Sequence, residues 1–185
     1  RGLTLKNRVV VSPMAQYLCE AGVPGAYHLV HLGARAMGGA ALVMVEMTCP
    51  SADARISPGC PGLWTDEQEA AFAHLAAWVH AHSDAAIGLQ LGHAGPKGST
   101  CVPWQGGGMD QPLPADGEVA NWPLMAASAV PYLADAPGSH LPRAMTRADM
   151  GQVRDDFVAA ALRSGLRQDA DVIFTVAGGS NLGAF

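Results

Sequence analysis

Four short apolar runs punctuate the chain, and amphipathic segments separate them. Val9-Val10-Val11 is β-branched and closed by Ser12-Pro13. It predicts a fully buried strand ending in a turn, because proline cannot continue a central ladder. Residues 15–26 hold Gly22, Pro24 and Gly25 and predict a loop. From Tyr27 to Met37 the apolar positions Leu29, Leu32, Ala36 and Met37 fall near helical spacing, and Gly38-Gly39 ends that helix. Ala41-Leu42-Val43-Met44-Val45 predicts a second buried strand with Glu46 at its C-terminal end. Thr65-Asp66-Glu67-Gln68 matches a capping box, in which a hydroxyl and a Gln side chain satisfy orphan amides reciprocally. Phe72, Leu75, Ala76 and Val79 carry the helix onward. Ala86 to Leu91 predicts a third strand.

The stretch from Ala94 to Arg143 is dense in Gly and Pro and predicts a long functional loop with a short hairpin inside it. Thr146 suits an N-cap, with Asp149 three residues on. Met150, Val153, Phe157, Ala161 and Leu162 form one stripe, and Gly165 is the expected stop. Asp171 to Val176 predicts a fourth strand that leads into Ala177-Gly178-Gly179-Ser180-Asn181.

Strands alternating with helices imply parallel strands and crossover helices. Two α/β architectures fit: a doubly wound open sheet, or part of a (β/α)8 barrel. A complete barrel needs about 250 residues. The chain has 185, and its four strands would be half of such a TIM barrel.

Composition narrows the function classes. Hydrophobic residues make up 49% of the chain, which excludes a disordered chain. The net charge of -5 disfavours nucleic acid and anionic membranes as partners. No apolar run reaches the roughly 18 residues of a membrane span, and the first residues hold no signal-peptide core. Cys19, Cys49, Cys60 and Cys101 contain no CxxC pair, which disfavours zinc and iron–sulfur sites. Reduced thiols in a cytoplasmic protein are the expectation. The chain opens on Arg1 rather than Met, which reads as a start inside a longer product.

Ligands of both architectures bind at the C-terminal ends of strands. Polar residues collect there: Ser12 and Tyr17, Glu46 and Thr48, Gln90 and His93. The plainer alternative is that polar residues begin wherever strands stop. His28 and His31 lie three apart on the first helix, but Leu29 and Leu32 beside them favour a packed helix over a metal site. His80 and His82 suit the negative end of a helix dipole. Trp78 reads as core, while Trp104 and Trp122 sit in the long loop as covers for a ligand or as packing for the loop itself. The Gly-rich segment 177–181 lacks the P-loop Lys and the GxGxxG spacing, so a loose terminus is the better reading.

Four motifs are more specific: Leu5-Lys6-Asn7-Arg8, Ser12-Pro13-Met14-Ala15-Gln16-Tyr17, Gly62-Leu63-Trp64-Thr65-Asp66-Glu67, and Gly88 to Lys97. In this order they resemble the N-terminal half of the old yellow enzyme family of FMN-dependent ene-reductases, from about Leu3 to about Ile173. Tyr27 to Gly39 resembles one subgroup, the reductase-like domain of bifunctional salicylyl-CoA 5-hydroxylase/oxidoreductase proteins. The resemblance implies a single incomplete FMN-binding barrel domain. It implies that Ser12, Pro13, Met14 and Ala15 line the isoalloxazine ring, that Met47 packs near it, and that Gln90 reads its pyrimidine edge with an amide that both donates and accepts. It gives Tyr17 the catalytic contact with substrate. The implied reaction moves a hydride from NAD(P)H through the flavin to an activated alkene or an enoyl- or aryl-CoA-like acceptor. Lys97 would then be a candidate for a CoA phosphate, against the plainer reading of a solvated lysine.

The match has departures. Ala15 stands where many relatives carry Cys, and Pro96 replaces an Arg. In register with the family's strand-four His-x-x-His-x-Tyr motif stand Val176, Gly179 and Asn181, none of which is an acid near neutral pH. The tail from about Phe174 therefore reads as foreign, as a truncated frame would leave it. The family's phosphate site lies after strands seven and eight. The alternative reading is a catalytically inactive half-barrel acting as a scaffold or interaction module. An unrelated open-sheet nucleotide binder would need a Gly-rich loop after strand one, where Ser12-Pro13-Met14 stands.

A half-barrel leaves strands one and four each with an open edge. The expected partner is a second copy or a missing C-terminal half. Light scattering of the 185-residue chain is therefore expected to show self-association that grows with concentration. A monodisperse monomer would count against the half-barrel.

Overall fold

The structure, a computed structural model, describes residues 2–105, 110–117, 119–133, 138–167 and 171–176, with 165–167 and 172–176 as backbone. Strand β1 (Val10–Val11) is followed by helix α1 (Ala26–Met37), strand β2 (Leu42–Thr48), helix α2 (Asp66–His82) and strand β3 (Ala86–Gly92). The long excursion after β3 holds two two-residue strands, β4 (Met125–Ala126) and β5 (Arg143–Ala144). Helix α3 (Arg147–Arg167) and strand β6 (Val172–Val176) follow.

β1, β2, β3 and β6 form one parallel sheet in that order. The sequential order contains no reversal point, whereas a doubly wound sheet reverses in its middle. The side chains agree. Val43 and Val45 of β2 and Ile87, Leu89 and Leu91 of β3 share one core with Leu32 and Ala36 of α1, with Phe72, Leu75 and Val79 of α2, and with Ala160 of α3. The alternate residues Leu42, Met44 and Ala86 form a separate small cluster on the opposite face, covered by Leu5. All three helices thus lie on one face, as they do around a barrel, and the other face is the barrel interior.

The capping box forms as the sequence predicts. Gln68 N–H donates to Thr65 Oγ1 at 3.2 Å, and Gln68 Oε1 accepts the amides of Trp64 and Thr65. Gln68 Nε2 also donates to the Ala21 carbonyl, which ties the loop before α1 to the start of α2. At the other end of α2, His82 Nδ1 donates to the Trp78 carbonyl at 2.8 Å and the two rings stack. His80 instead reaches Asp171, whose carboxylate also accepts the Ile87 amide and so fixes the entry of β6 beside β3. Trp78 packs partly buried against the core, and Trp104 lies exposed.

Five expectations need correction. The predicted buried strand Val9–Val11 is Val10–Val11, and Val9 and Val10 are 59% and 48% exposed. Its only neighbour among the described residues is β2, so the β-branched run sits at an open sheet edge. The second strand does not stop at Val45 but runs on to Thr48. The third runs one residue beyond Leu91, to Gly92. The pair inside the long loop is parallel, not a hairpin, with Met125 opposite Arg143 and Ala126 opposite Ala144. Gly165 does not stop α3, which runs to Arg167; an internal Gly costs only about 1 kcal/mol, and α3 is held to α2 by Arg163 on Asp66 and Glu69. The loop 177–181, with Gly179 and Asn181, and the Val176 side chain lie outside the described residues.

Removing the Thr65 hydroxyl leaves the Gln68 amide without its cap. Thr65→Ala is expected to lower unfolding stability by about 1 kcal/mol, read as a lower urea midpoint at unchanged m-value.

Candidate active site

The C-terminal ends of β1, β2 and β3 meet on one side of the sheet. Ser12, Met14 and Ala15 are exposed after β1, with Pro13 partly covered. Met47 and Gln90 are register partners on neighbouring strands, and both are half-buried. No described residue takes up the Gln90 amide.

A bulge creates that pairing. Leu42 to Val45 pair one-to-one with Ala86 to Leu89, then Met47 pairs with Gln90. Glu46 is the extra residue. In regular register Glu46 would stand beside Gln90 and face the barrel interior, because paired residues share a face. The bulge gives that place to Met47 and re-aims the carboxylate.

Glu46 then lies almost wholly buried, and its oxygens are satisfied. Oε2 accepts the Gln16 amide at 2.7 Å and the Tyr17 amide at 3.3 Å. Oε1 accepts from His28 Nε2 at 3.2 Å. The Gly25 amide donates to His28 Nδ1 at the N-terminus of α1, which leaves the ring proton on Nε2. Cys19 Sγ lies 3.5 Å from the same nitrogen. The two histidines singled out in sequence are thus committed within the protein: His28 to this network, His31 to a stack with Tyr27.

Tyr17 sits at φ 56°, in the left-handed region. Its backbone is crowded from one side: a Cβ on Gly59 would lie 2.2 Å from the Tyr17 carbonyl oxygen, so only glycine fits there. Its ring packs with Met47, Ile56 and Trp64 against buried Cys49, Ala54 and Cys60. Burial, reinforced by the negative charges it would face, raises the Tyr17 phenol well above its ordinary range. Tyr17 is therefore a protonated hydrogen-bond donor at neutral pH. Burial likewise raises Cys19 and Cys49, while a hydrogen bond from Cys49 lowers Cys60. All four cysteines are free and buried.

Of the remaining polar candidates, Thr48 and Lys97 are taken up within the protein, while His93 Nε2 is buried with no partner among the described residues. Thr48 Oγ1 donates to the Glu46 carbonyl. His93 is buried and accepts the Gly95 amide on Nδ1; burial lowers its pKa. Lys97 is partly exposed but not free, since it pairs with Asp110 at 2.9 Å over the Tyr132 ring. Trp122 lies over Arg55 at 4.5 Å and packs the long loop down. Sequence reasoning placed Glu46 at a strand end but missed its buried network. The signal was a lone carboxylate directly after five apolar residues.

A one-sided parallel sheet with its polar residues at the C-terminal strand ends is the arrangement of part of a (β/α)8 barrel. The sequence profile of the NADH:flavin oxidoreductase / NADH oxidase family matches residues 1–179, and the chain belongs to that family. The matched span includes the first residues of the tail set apart above. An NADH:flavin oxidoreductase of Gibberella zeae is 37% identical over 175 residues, covering 94% of this chain and 40% of that protein. Morphinone reductase superposes with a TM-score of 0.74 at 29% identity, covering 94% of this chain and 45% of its own. Old Yellow Enzyme from Pichia sp. shares the fold, with a TM-score of 0.73 at 23% identity over 92% of this chain and 42% of its own. The chain thus spans less than half the length of these relatives. No helix among the described residues is long and apolar enough to cross a membrane.

The raised Tyr17 phenol has a direct readout. In a spectrophotometric titration of the three tyrosines, Tyr17→Phe is expected to remove the group that ionises last. Loss of an earlier-ionising group instead would show that Tyr17 is not buried as described.

Proposed function

We propose that this chain supplies one side of the active site of an NAD(P)H-dependent FMN oxidoreductase of Old Yellow Enzyme type. The observation that carries the proposal is the pairing of Met47 with Gln90 beside Tyr17 at the strand ends. The donor set fits a flavin: an amide with no partner among the described residues, which both donates and accepts, suits a pyrimidine edge, and a thioether suits a ring face. Ser12, Pro13, Met14 and Ala15 would hold the ring through backbone groups of a proline-braced turn. FMN, when bound, supplies transfer of a hydride from NADH or NADPH to an electron-poor alkene.

The residues of this chain bind and orient. Gln90 fixes the ring's polar edge. Met47 fills the place that Glu46 would otherwise take, which keeps a negative charge away from the ring. Tyr17, held protonated, donates a hydrogen bond to the substrate. The finer proposal is an enoyl- or aryl-CoA thioester as acceptor, which rests on the likeness of Tyr27 to Gly39 to the salicylyl-CoA-linked reductase domains. Lys97 contributes no free ammonium to such a substrate, because Asp110 occupies it.

Titration of the purified chain with FMN, followed by visible absorbance and flavin fluorescence, tests the proposal. Saturable binding with a perturbed spectrum is expected, and Gln90→Ala is expected to weaken it by about tenfold, the loss of one hydrogen-bonding group. No binding by a chain that circular dichroism shows to be folded would overturn the proposal and favour the inactive half-barrel.

A further inference from the structure

We infer that Glu46 is the positioning residue for Tyr17, acting through the backbone of residues 16 and 17 rather than by touching any ligand; the functional consequence rests on the reading of Tyr17 above. Three observations converge. The carboxylate is buried with side-chain exposure of 2%, a placement that requires hydrogen bonds from every side. Its Oε2 takes the amides of two successive residues, Gln16 and Tyr17. The second of these holds a φ of 56°, which a non-glycine residue adopts only where its surroundings impose it.

The orienting chain runs further back. The Gly25 amide fixes the His28 tautomer, and His28 Nε2–H fixes the rotation of the Glu46 carboxylate. The N-terminus of α1 thereby sets the angle at which the loop after β1 delivers its tyrosine. Gln16 adds a second hold: its side chain donates to the Met14 carbonyl and accepts from Tyr27 Oη. One buried carboxylate therefore connects the turn 12–15 to Tyr17, the two parts of the site that come from the same strand end.

Glu46→Gln is the informative substitution. It keeps one carbonyl oxygen but turns an NH2 group toward either the two backbone amides or His28 Nε2–H, which are all donors. The test uses the full chain labelled with 3-fluorotyrosine at its three tyrosines, together with amide hydrogen exchange. Exchange at Gln16 and Tyr17 is expected to accelerate by at least about tenfold, with β2 and β3 amides unchanged. The fluorine resonance of Tyr17 should move while that of Tyr132 stays. Equal acceleration across β2 and β3 would reduce Glu46 to a fold-stabilising residue and overturn the inference, as would unchanged exchange and an unmoved Tyr17 signal. Should Glu46→Gln fail to fold, His28→Leu removes the Nε2–H donor to Glu46, together with the acceptor of the Gly25 amide, and must show the same local pattern at smaller amplitude; no local change there overturns the inference as well. These readouts need no flavin. Failure of FMN binding by the wild-type chain therefore sinks the functional reading alone.

Discussion

A buried carboxylate governs the site end of this half-barrel. Burying a charge without partners costs far more than the few kcal/mol by which a domain is stable. Glu46 can lie where it does only because two backbone amides and one imidazole converge on it. That requirement fixes the path of the chain after β1, the rotamer of His28 and the join between the loop and α1. The bulge in β2 is the geometric counterpart, since it moves the carboxylate off the interior face and installs Met47 beside Gln90.

The rest of the fold serves as a frame. One apolar core between sheet and helices carries the stability, and the opposite face of the sheet holds the small cluster of Leu42, Met44 and Ala86 with Leu5. A closed barrel buries that face against side chains from all its strands. Among the described residues the sheet ends at β1, whose Val10 lies half-exposed. The same openness belongs to the strand-end residues Ser12, Met14 and Ala15. The residues proposed for flavin binding and the edge left unpaired among the described residues thus lie next to each other.

The long excursion between β3 and α3 is tied down by a few specific contacts. Arg55 lies between the rings of Trp64 and Trp122, and Lys97 meets Asp110 over Tyr132. Short strands add a parallel pair at its base, where Arg143 also clamps Asp149 at the start of α3. Val102, Leu113, Leu124 and Ala126 of the excursion are buried as well, so stacked cations and apolar side chains together hold it down.

The sequence by itself determined the elements and their kind. Helical spacing, the Thr65–Gln68 capping box and the β-branched runs are local signals, and local hydrogen bonding and side-chain periodicity decide them. It also brought the polar residues of successive strands to one end of the sheet, because parallel strands place their termini together, while the strand bounds themselves shifted by one to three residues. Tertiary structure decided the rest. Whether Val9 to Val11 was buried depended on a neighbouring strand, which no local pattern specifies. The choice between barrel and open sheet depended on strand order and on all three helices taking one face. The extra residue in β2 was illegible because a one-residue bulge changes no composition, yet it reverses the face of every residue after it. The partnership of Glu46 with His28 and with the amides of Gln16 and Tyr17 joins groups 18 to 30 positions apart, and only the folded chain brings them within hydrogen-bonding distance.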